Sequence, residues 1–445
     1  MPMQDRKILL QAHQLMTRRA SLALLCGEPD SPNQPLRRMN TATVTSIMVG
    51  VIAAAVFGVL GLLAPAPASG LTKAGTLVLD QDTATSYVPC EGGKLCPTLN
   101  YASARLALGT PPVATVDVHQ NSLAGYQIGP TIGIAGLPQD LPTAADLVKG
   151  PWSVCTADSL TALVGGSSTG GATLGQSQAV LVVSDNADWV LWNGDRLAVA
   201  SQVMQDLFPG AQPAAVPAGW LDALPQGPDF AAPAIPGSSN PVTGPDGEVV
   251  PVGQVFQQAS PAQYFVVEAS GKLATISPTM ADLLQTTAGA PALKPITNAA
   301  ATSDLSGDTI PDGGLPPSLP QVVSQAPGST LCTVYGTGLA RTLTTGGTVP
   351  SGATPTAGTA GVNAVWLPSE HGALVGAAPS VDQPSTVTAW FLVYDGERFA
   401  LPTASVAAVL GYNVQASKAV LPASVLDLLP QGPVLDPAAA TASAG

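Results

Sequence analysis

The chain has 445 residues with 46 glycines, 43 prolines, only 4% aromatic residues and a formal net charge of −13. That length exceeds one ordinary core, and so much Gly and Pro fits many short elements joined by turns. The acidic balance excludes a nucleic-acid-binding surface.

The first forty residues are short for a domain. Apolar Ile8, Ala12, Leu15, Leu22 and Leu25, with Arg18 and Arg19 between them, predict one weakly amphipathic helix that lies on the inner leaflet or docks on a cytoplasmic partner. Asp30-Ser31-Pro32 and Pro35 end it, and Arg37 and Arg38 anchor the next segment at the headgroups. Thr41 to Ala64 carries no charge. At about 1.5 Å per residue it reaches roughly 36 Å against a ~30 Å hydrocarbon layer, so it is read as a single transmembrane helix. Gly50, Ala54 and Gly58 fall four apart on one face, a spacing that lets spanning helices pack closely.

Ala66-Pro67-Ala68 resembles a signal-peptidase site. The apolar core Ile47 to Leu63 exceeds the roughly 7 to 15 residues of a signal peptide, and forty residues precede the span, so an uncleaved anchor is expected. Up to Asn40 six Lys/Arg stand against three acidic residues, a balance of +3, and beyond the span the balance is −16. Positive charge stays inside, which puts the N-terminus in the cytoplasm and the long C-terminal part outside.

Beyond a hinge over 65–75, four segments share one grammar. Each has an apolar strand-like run and a turn ending in Gly before a charged and an apolar residue: Gly93-Lys94-Leu95, Gly194-Asp195-Arg196-Leu197, Gly271-Lys272-Leu273 and Gly396-Glu397-Arg398-Phe399. Glycine supplies the positive φ of a hairpin turn. Each segment then ends on a Leu/Pro signature: IAGLPQDLP, VPAGWLDALPQGP, IPDGGLPPSLP and LPASVLDLLPQGP. From turn glycine to the signature's Leu the distances are 48, 30, 48 and 33 (Gly93 to Leu141, Gly194 to Leu224, Gly271 to Leu319, Gly396 to Leu429). A long–short pair has been duplicated, with corresponding points 178 apart at first and about 202 to 205 later. The Gly/Thr/Ala/Pro run Thr342 to Gly361 accounts for the surplus and reads as a surface loop.

The predicted organisation is α+β: a cytoplasmic helix over 1–40, a transmembrane helix over 41–64, the hinge, and an elongated extracytoplasmic region. That region holds repeats at 76–145, 181–228, 254–320 and 388–437, a linker at 229–253 and a tail at 438–445. A central β-rich domain from 146–180 and 321–387 relates the halves by a pseudo-twofold axis.

Cys155 and Cys332 follow Leu141 and Leu319 by fourteen and thirteen residues and are 177 apart. Equivalent positions of a duplicated unit meet at such an axis, so a disulfide between them is expected. Cys90 and Cys96 are expected to pair within the first hairpin, and Cys26 stays unpaired on the reducing side. A zinc site at Cys90 and Cys96 would need two more ligands, and no histidine pair stands nearby, so no metal is expected.

Gly93-Lys94 is followed by Leu95 and Gly271-Lys272 by Leu273, which is not the GKS or GKT of a phosphate-binding loop. His13, His119 and His371 are spaced for neither a metal nor a triad, and the carboxylates do not form a glycosidase pair. No catalytic or cofactor-binding residue is assigned. Trp189 and Trp390 stand five and six residues before their turn glycines and read as matched core positions.

Taken together, the basic helical N-terminus, the one span, the cysteine pair, LNYASARL (Leu99 to Leu106), HGALV, YDGERFALP (Tyr394 to Pro402), Leu410-Gly411-Tyr412 and the ending LPQGPVLDPAAA resemble the EccB components of actinobacterial type VII (ESX) secretion. The resemblance implies a single-pass structural subunit that self-associates and assembles with EccC, EccD and EccE near the mycosin protease. Members often carry the name ATPase, so ATP enters as a cofactor by that family label only; a cell-wall-binding module is the other alternative.

Overall fold

A computed structural model describes residues 3–27, 35–63, 70–110, 114–157, 160–356 and 361–444. Ala64, the hinge over 65–69, the helix stop at Asp30 to Pro32 and part of the Thr342 to Gly361 run lie outside the described residues, as do the side chains of Cys26, Arg37 and Arg38. The chain divides into two compact units, one of residues 1–69 with 121–124, the other of residues 70–120 with 125–445.

The first unit contains the helices Met3–Cys26 and Pro35–Leu63. The second helix starts six residues before the uncharged run, because proline at a first helical position gives up only an N–H that has no intrahelical acceptor. Its stretch Thr41–Val59 has mean hydropathy 2.2 and is long and apolar enough to cross a membrane. A Cβ on Gly50 or Gly58 would meet nothing within 4 Å, and Ala54 is exposed.

The second unit is built on four sheets of one connectivity. Sheet I is ordered Lys94–Pro97, Ser86–Cys90, Thr76–Asp80, Ala114–Val118. Sheet II is ordered Asp195–Val199, Ala187–Trp192, Gln178–Ser184, Ala214–Ala215, and sheet IV is ordered Glu397–Leu401, Ala389–Tyr394, Ala373–Ala378, Lys418–Pro422. Sheet III repeats the order with Leu273–Ile276, Ala262–Val267, Val255–Ala259 and Lys294–Ile296, and adds Leu305–Thr309 at its edge. In each, three antiparallel strands lead through a helix to a fourth strand parallel to the first. Those helices are Tyr101–Leu108, Ser201–Leu207, Pro278–Gln285 and Ala404–Val409. Asn100 and Ser277 start two of them by accepting the N–H of Ser103 and Met280. The turns Asn193-Gly194 and Asp395-Gly396 have positive φ at both residues, the two-residue geometry that matches strand twist.

The pairing register of sheets I and III shows a constant offset. Val78 pairs with Val116 in sheet I, and Phe256 pairs with Lys294 in sheet III, 178 residues further on in both strands.

The end of each module docks beside its hairpin. Arg196 receives a hydrogen bond from Gly227 N and gives one to Pro225 O, both 2.9 Å, and Arg398 does the same with Gly432 and Pro430 at 2.9 Å. LPQGP is therefore a docking strand in sheets II and IV. In sheet I the same bonds join Leu95 to Gln127 O and Gly129 N, and in sheet III the docking strand is Leu305–Thr309. The signatures ending at Pro142 and Pro320 are thus not the counterparts that spacing alone pairs with LPQGP. They open connectors that cross over: Val148 N donates to Gly372 O at sheet IV (2.8 Å), and Val323 N donates to Ala179 O in sheet II (2.8 Å).

The connectors interdigitate the halves. Ala102, Leu106 and Leu137 share a core with Leu374, Leu392 and Phe399 of sheet IV, and Phe208 and Phe230 share one with Leu283 and Leu315. The end of the chain returns to sheet I's docking segment, where Gly133 N donates to Ala442 O (3.2 Å) and Ala444 N to Thr131 O (2.9 Å).

Between them lies a seven-stranded sheet ordered Thr354–Pro355, Ala364–Trp366, Leu160–Gly165, Trp152–Ala157, Leu331–Tyr335, Arg341–Thr345, Ala172–Thr173. Four assignments differ from the sequence reading. Arg341–Thr345 and Thr354–Pro355 take parts of the run read as a surface loop into this sheet, and Gln321–Val322, read as central, pairs with Gln178–Ser184 of sheet II. Ala373–Ala378, the HGALV strand, belongs to sheet IV rather than to the central sheet, since it is buried on both faces between strands of that sheet. The linker contains a hairpin, Pro241–Thr243 with Val249–Pro251.

Candidate functional site: the seam between the halves

The central sheet joins the halves along the antiparallel strands Trp152–Ala157 and Leu331–Tyr335. Cys155 and Cys332 stand directly opposite, with Val154 across from Thr333 and Thr156 across from Leu331. Their sulfurs form a disulfide, with Cα atoms 4.0 Å apart, and both residues are fully buried. On the same seam Trp220 Nε1 donates to Val154 O at 2.9 Å, and the Tyr335 hydroxyl donates to Ala223 O. Burial pushes the Tyr335 phenol well above its ordinary pKa. Tyr412, also buried, donates to Pro142 O at 2.9 Å and is raised for the same reason.

Arg341 ties sheet II to the central sheet through a two-pronged ion pair with Asp195. Two further pairs repeat each other: Arg196 with Asp222 and Arg398 with Asp427, each 2.6 Å. Arg196 lies over the Trp189 ring (5.3 Å) and Arg398 over Phe391 (5.2 Å). Trp189 pairs with Ala198 and Val182, as Phe391 pairs with Ala400 and Val375. The counterpart of Trp189 is therefore Phe391 and not Trp390, because register decides equivalence and the adjacent residue points to the opposite face. None of these pairs was singled out from sequence, although the recurrence of Gly-Asp/Glu-Arg with a later Leu-Asp was a visible signal.

Cys90 and Cys96 form the second disulfide, across the turn of sheet I, with Cα atoms 5.9 Å apart. The docking segment lies against it: a Cβ on Gly129 would fall 2.5 Å from Cys96 Sγ. Lys94 begins a strand at a hairpin turn, and Lys272 Nζ lies 3.3 Å from Asp304 Oδ1. His119 Nδ1 is 3.1 Å from Asp82, whose carboxyl is held below its ordinary pKa by the Gln120 N–H and by His119, while His371 Nδ1 contacts Ser369 O at 2.8 Å. Among the described residues no group of three or more His, Cys, Asp or Glu is placed to hold a metal ion. A groove of about 610 Å³ between Gln212–Pro217 and Gln325–Ser329 is floored by Thr156 and Leu331. Among the described residues no titratable side chain lines it. The seam's chemistry is that of cross-linking and packing.

The family model described as "Type VII secretion system ESX-1, transport TM domain B" matches residues 5–444. The ESX-3 secretion system ATPase EccB3 of Mycobacterium tuberculosis is 31% identical over 288 residues, 56% of this chain and 51% of the relative. The ESX-5 secretion system ATPase EccB5 of the same species is 28% identical over 311 residues, 64% of this chain and 60% of the relative. The chain thus spans about half the length of the EccB3 relative. Among solved structures, a chain of the intact ESX-5 inner membrane complex superposes with TM-score 0.65 at 24% identity, covering 98% of this chain and 95% of that one. The EccB3 dimer from the ESX-3 core complex matches with TM-score 0.65 at 26% identity, over 82% of this chain and 99% of that one.

Proposed function

Because the chain belongs to the EccB family of type VII secretion membrane proteins, we propose that it is a structural subunit of a type VII secretion complex of the inner membrane. The observation that carries this is the reach of the family match, which takes in the membrane-crossing helix and the whole β-rich body alike. The helix holds the subunit in the membrane. The excess of positive charge before it orients the N-terminus to the cytoplasm and the acidic body to the periplasm-like side.

We read the body as four repeat domains around the central sheet, with a pseudo-twofold axis through Cys155 and Cys332. The shared connectivity and the constant register offset of sheets I and III support this. A body cross-linked at its middle and interdigitated at both ends is a stiff strut suited to lateral subunit contacts. Its partners are further copies of itself, EccC, EccD and EccE, with the mycosin protease nearby. Self-association is supported by the relative solved as a dimer. The test is affinity purification of a tagged copy from detergent-solubilised membranes: EccC, EccD and EccE co-elute in one large particle, and elution of the tagged chain alone refutes the assignment.

The names of the relatives favour a second reading, nucleotide hydrolysis. It requires ATP turnover that persists through purification and is lost on Lys94→Ala or Lys272→Ala.

A further inference from the structure

The stretch that follows the strand Arg341–Thr345 is left without a role by an assembly function. No charged residue stands between Arg341 and Glu370, in a chain whose net charge is −13. Thr348, Ser351 and Thr354 are all exposed. Pro350 precedes Ser351 and Pro355 follows Thr354. The segment is held by its backbone: Thr348 N donates to Thr169 O at 2.8 Å, and Trp366 Nε1 donates to Ser351 O at 3.1 Å. Thr356 differs, since its hydroxyl donates to Val362 O and the residue is half-buried.

An uncharged Ser/Thr tract with proline has the composition of O-glycosylated segments. Proline lacks the N–H that strand pairing uses, and Thr354–Pro355 accordingly stands at the edge of the central sheet, where Thr354 stays exposed. We propose that Thr348, Ser351 and Thr354 are acceptors of O-linked sugar. This rests on the extracytoplasmic placement of the body, where the donor is a polyprenyl-phosphate-linked sugar presented by a membrane transferase. The acceptor Oγ forms a bond to the anomeric carbon, the bond from that carbon to the phosphate oxygen breaks, and the hydroxyl proton ends on the released phosphate or the transferase base. Nothing is oxidised or reduced. The sugars supply the hydration that charge supplies elsewhere on the surface.

The tryptic peptide that carries the tract runs from Thr342 to Arg398. The full chain is purified in detergent from the organism that encodes it, and its peptide masses are compared with those of protein made in a bacterium without O-glycosyltransferases. Hexose-mass increments on this peptide are expected in the native protein. They disappear in a T348V/S351A/T354V variant and persist in T356V. A native peptide at its bare sequence mass overturns the proposal, as does loss of the increments in T356V alone. A membrane-impermeant amine label applied to intact spheroplasts reports separately on Lys272. A labelled body with a bare peptide sinks the modification and leaves the topology standing; an unlabelled body sinks the topology itself.

Discussion

Arg341 grips Asp195 by two parallel hydrogen bonds, Nε to Oδ1 and Nη2 to Oδ2, each 2.9 Å, across 146 positions of sequence. Both side chains keep only about a fifth of their exposure, at 20% and 21%. A Cβ on Gly194 would lie 2.6 Å from Arg341 Cγ, at a φ of +82°, so glycine is needed here for both space and conformation.

Arg341→Met therefore leaves a half-buried carboxylate without its partner and lowers unfolding free energy by about 2 kcal/mol. Asp195→Asn costs a similar amount. Urea titration of both single variants and the double checks this: the double loses less than the sum, and additive losses refute the coupling.

The Cys155–Cys332 bond closes a far longer loop than Cys90–Cys96, with separations of 177 and 6. By the chain-entropy account the first contributes up to about 5 kcal/mol and the second about 2 kcal/mol. Alanine pairs at each site, compared by denaturant midpoint, are expected to fall in that order. A free thiol at Cys155 in exported protein, found by non-reducing peptide mapping, contradicts the pairing.

Burial holds the Tyr335 and Tyr412 phenols protonated above the pH near 10 at which an unfolded chain ionises them. Below about pH 10 both states carry the proton and these groups add no pH dependence. Above it the unfolded state releases the proton first, so stability falls by about 1.4 kcal/mol per pH unit for each tyrosine until the folded-state pKa is passed. Urea midpoints between pH 9 and 11 should show the decline, and Tyr335→Phe with Tyr412→Phe should flatten it.

Arg196 and Arg398 retain 17% and 13% side-chain exposure, whereas their partners Asp222 and Asp427 retain 57% and 66%. The carboxylates are largely solvated and their removal costs under about 1 kcal/mol. Each arginine also covers an aromatic ring with its stem and guanidinium, so Arg196→Ala and Arg398→Ala are each expected to cost about 2 kcal/mol. Equal effects of Arg196→Ala and Asp222→Ala in thermal unfolding count against the ring contact.

The amide of Gly133 is protected by Ala442 O. Deleting residues 437–445 should speed its hydrogen exchange and leave Gly227, at the equivalent docking strand of sheet II, unchanged.

The four hairpins were legible because a turn glycine is a local backbone requirement, spelled four times. The docking strands were misaligned because they bind through N–H and C=O groups. Any side chain can stand there, so LPQGP is written out only in sheets II and IV, while Gln127 to Gly129 does the same work in other letters. The 48-residue spacings measured the distance to the crossing connectors instead. Trp189 and Trp390 misled for a related reason: counting from the turn missed a one-residue shift that reverses the face. The Asp195–Arg341 pair was out of reach, since one sequence does not say which arginine meets which carboxylate.

Sheet I is synthesised early, yet its docking segment meets Ala442 and Ala444, and its module shares a core with residues beyond position 370. A chain emerging from its N-terminus carries that module half-made until residues beyond 370, and then Ala442 and Ala444, have appeared. A product that stops short of them leaves the greasy faces of Ala102, Leu106 and Leu137 uncovered.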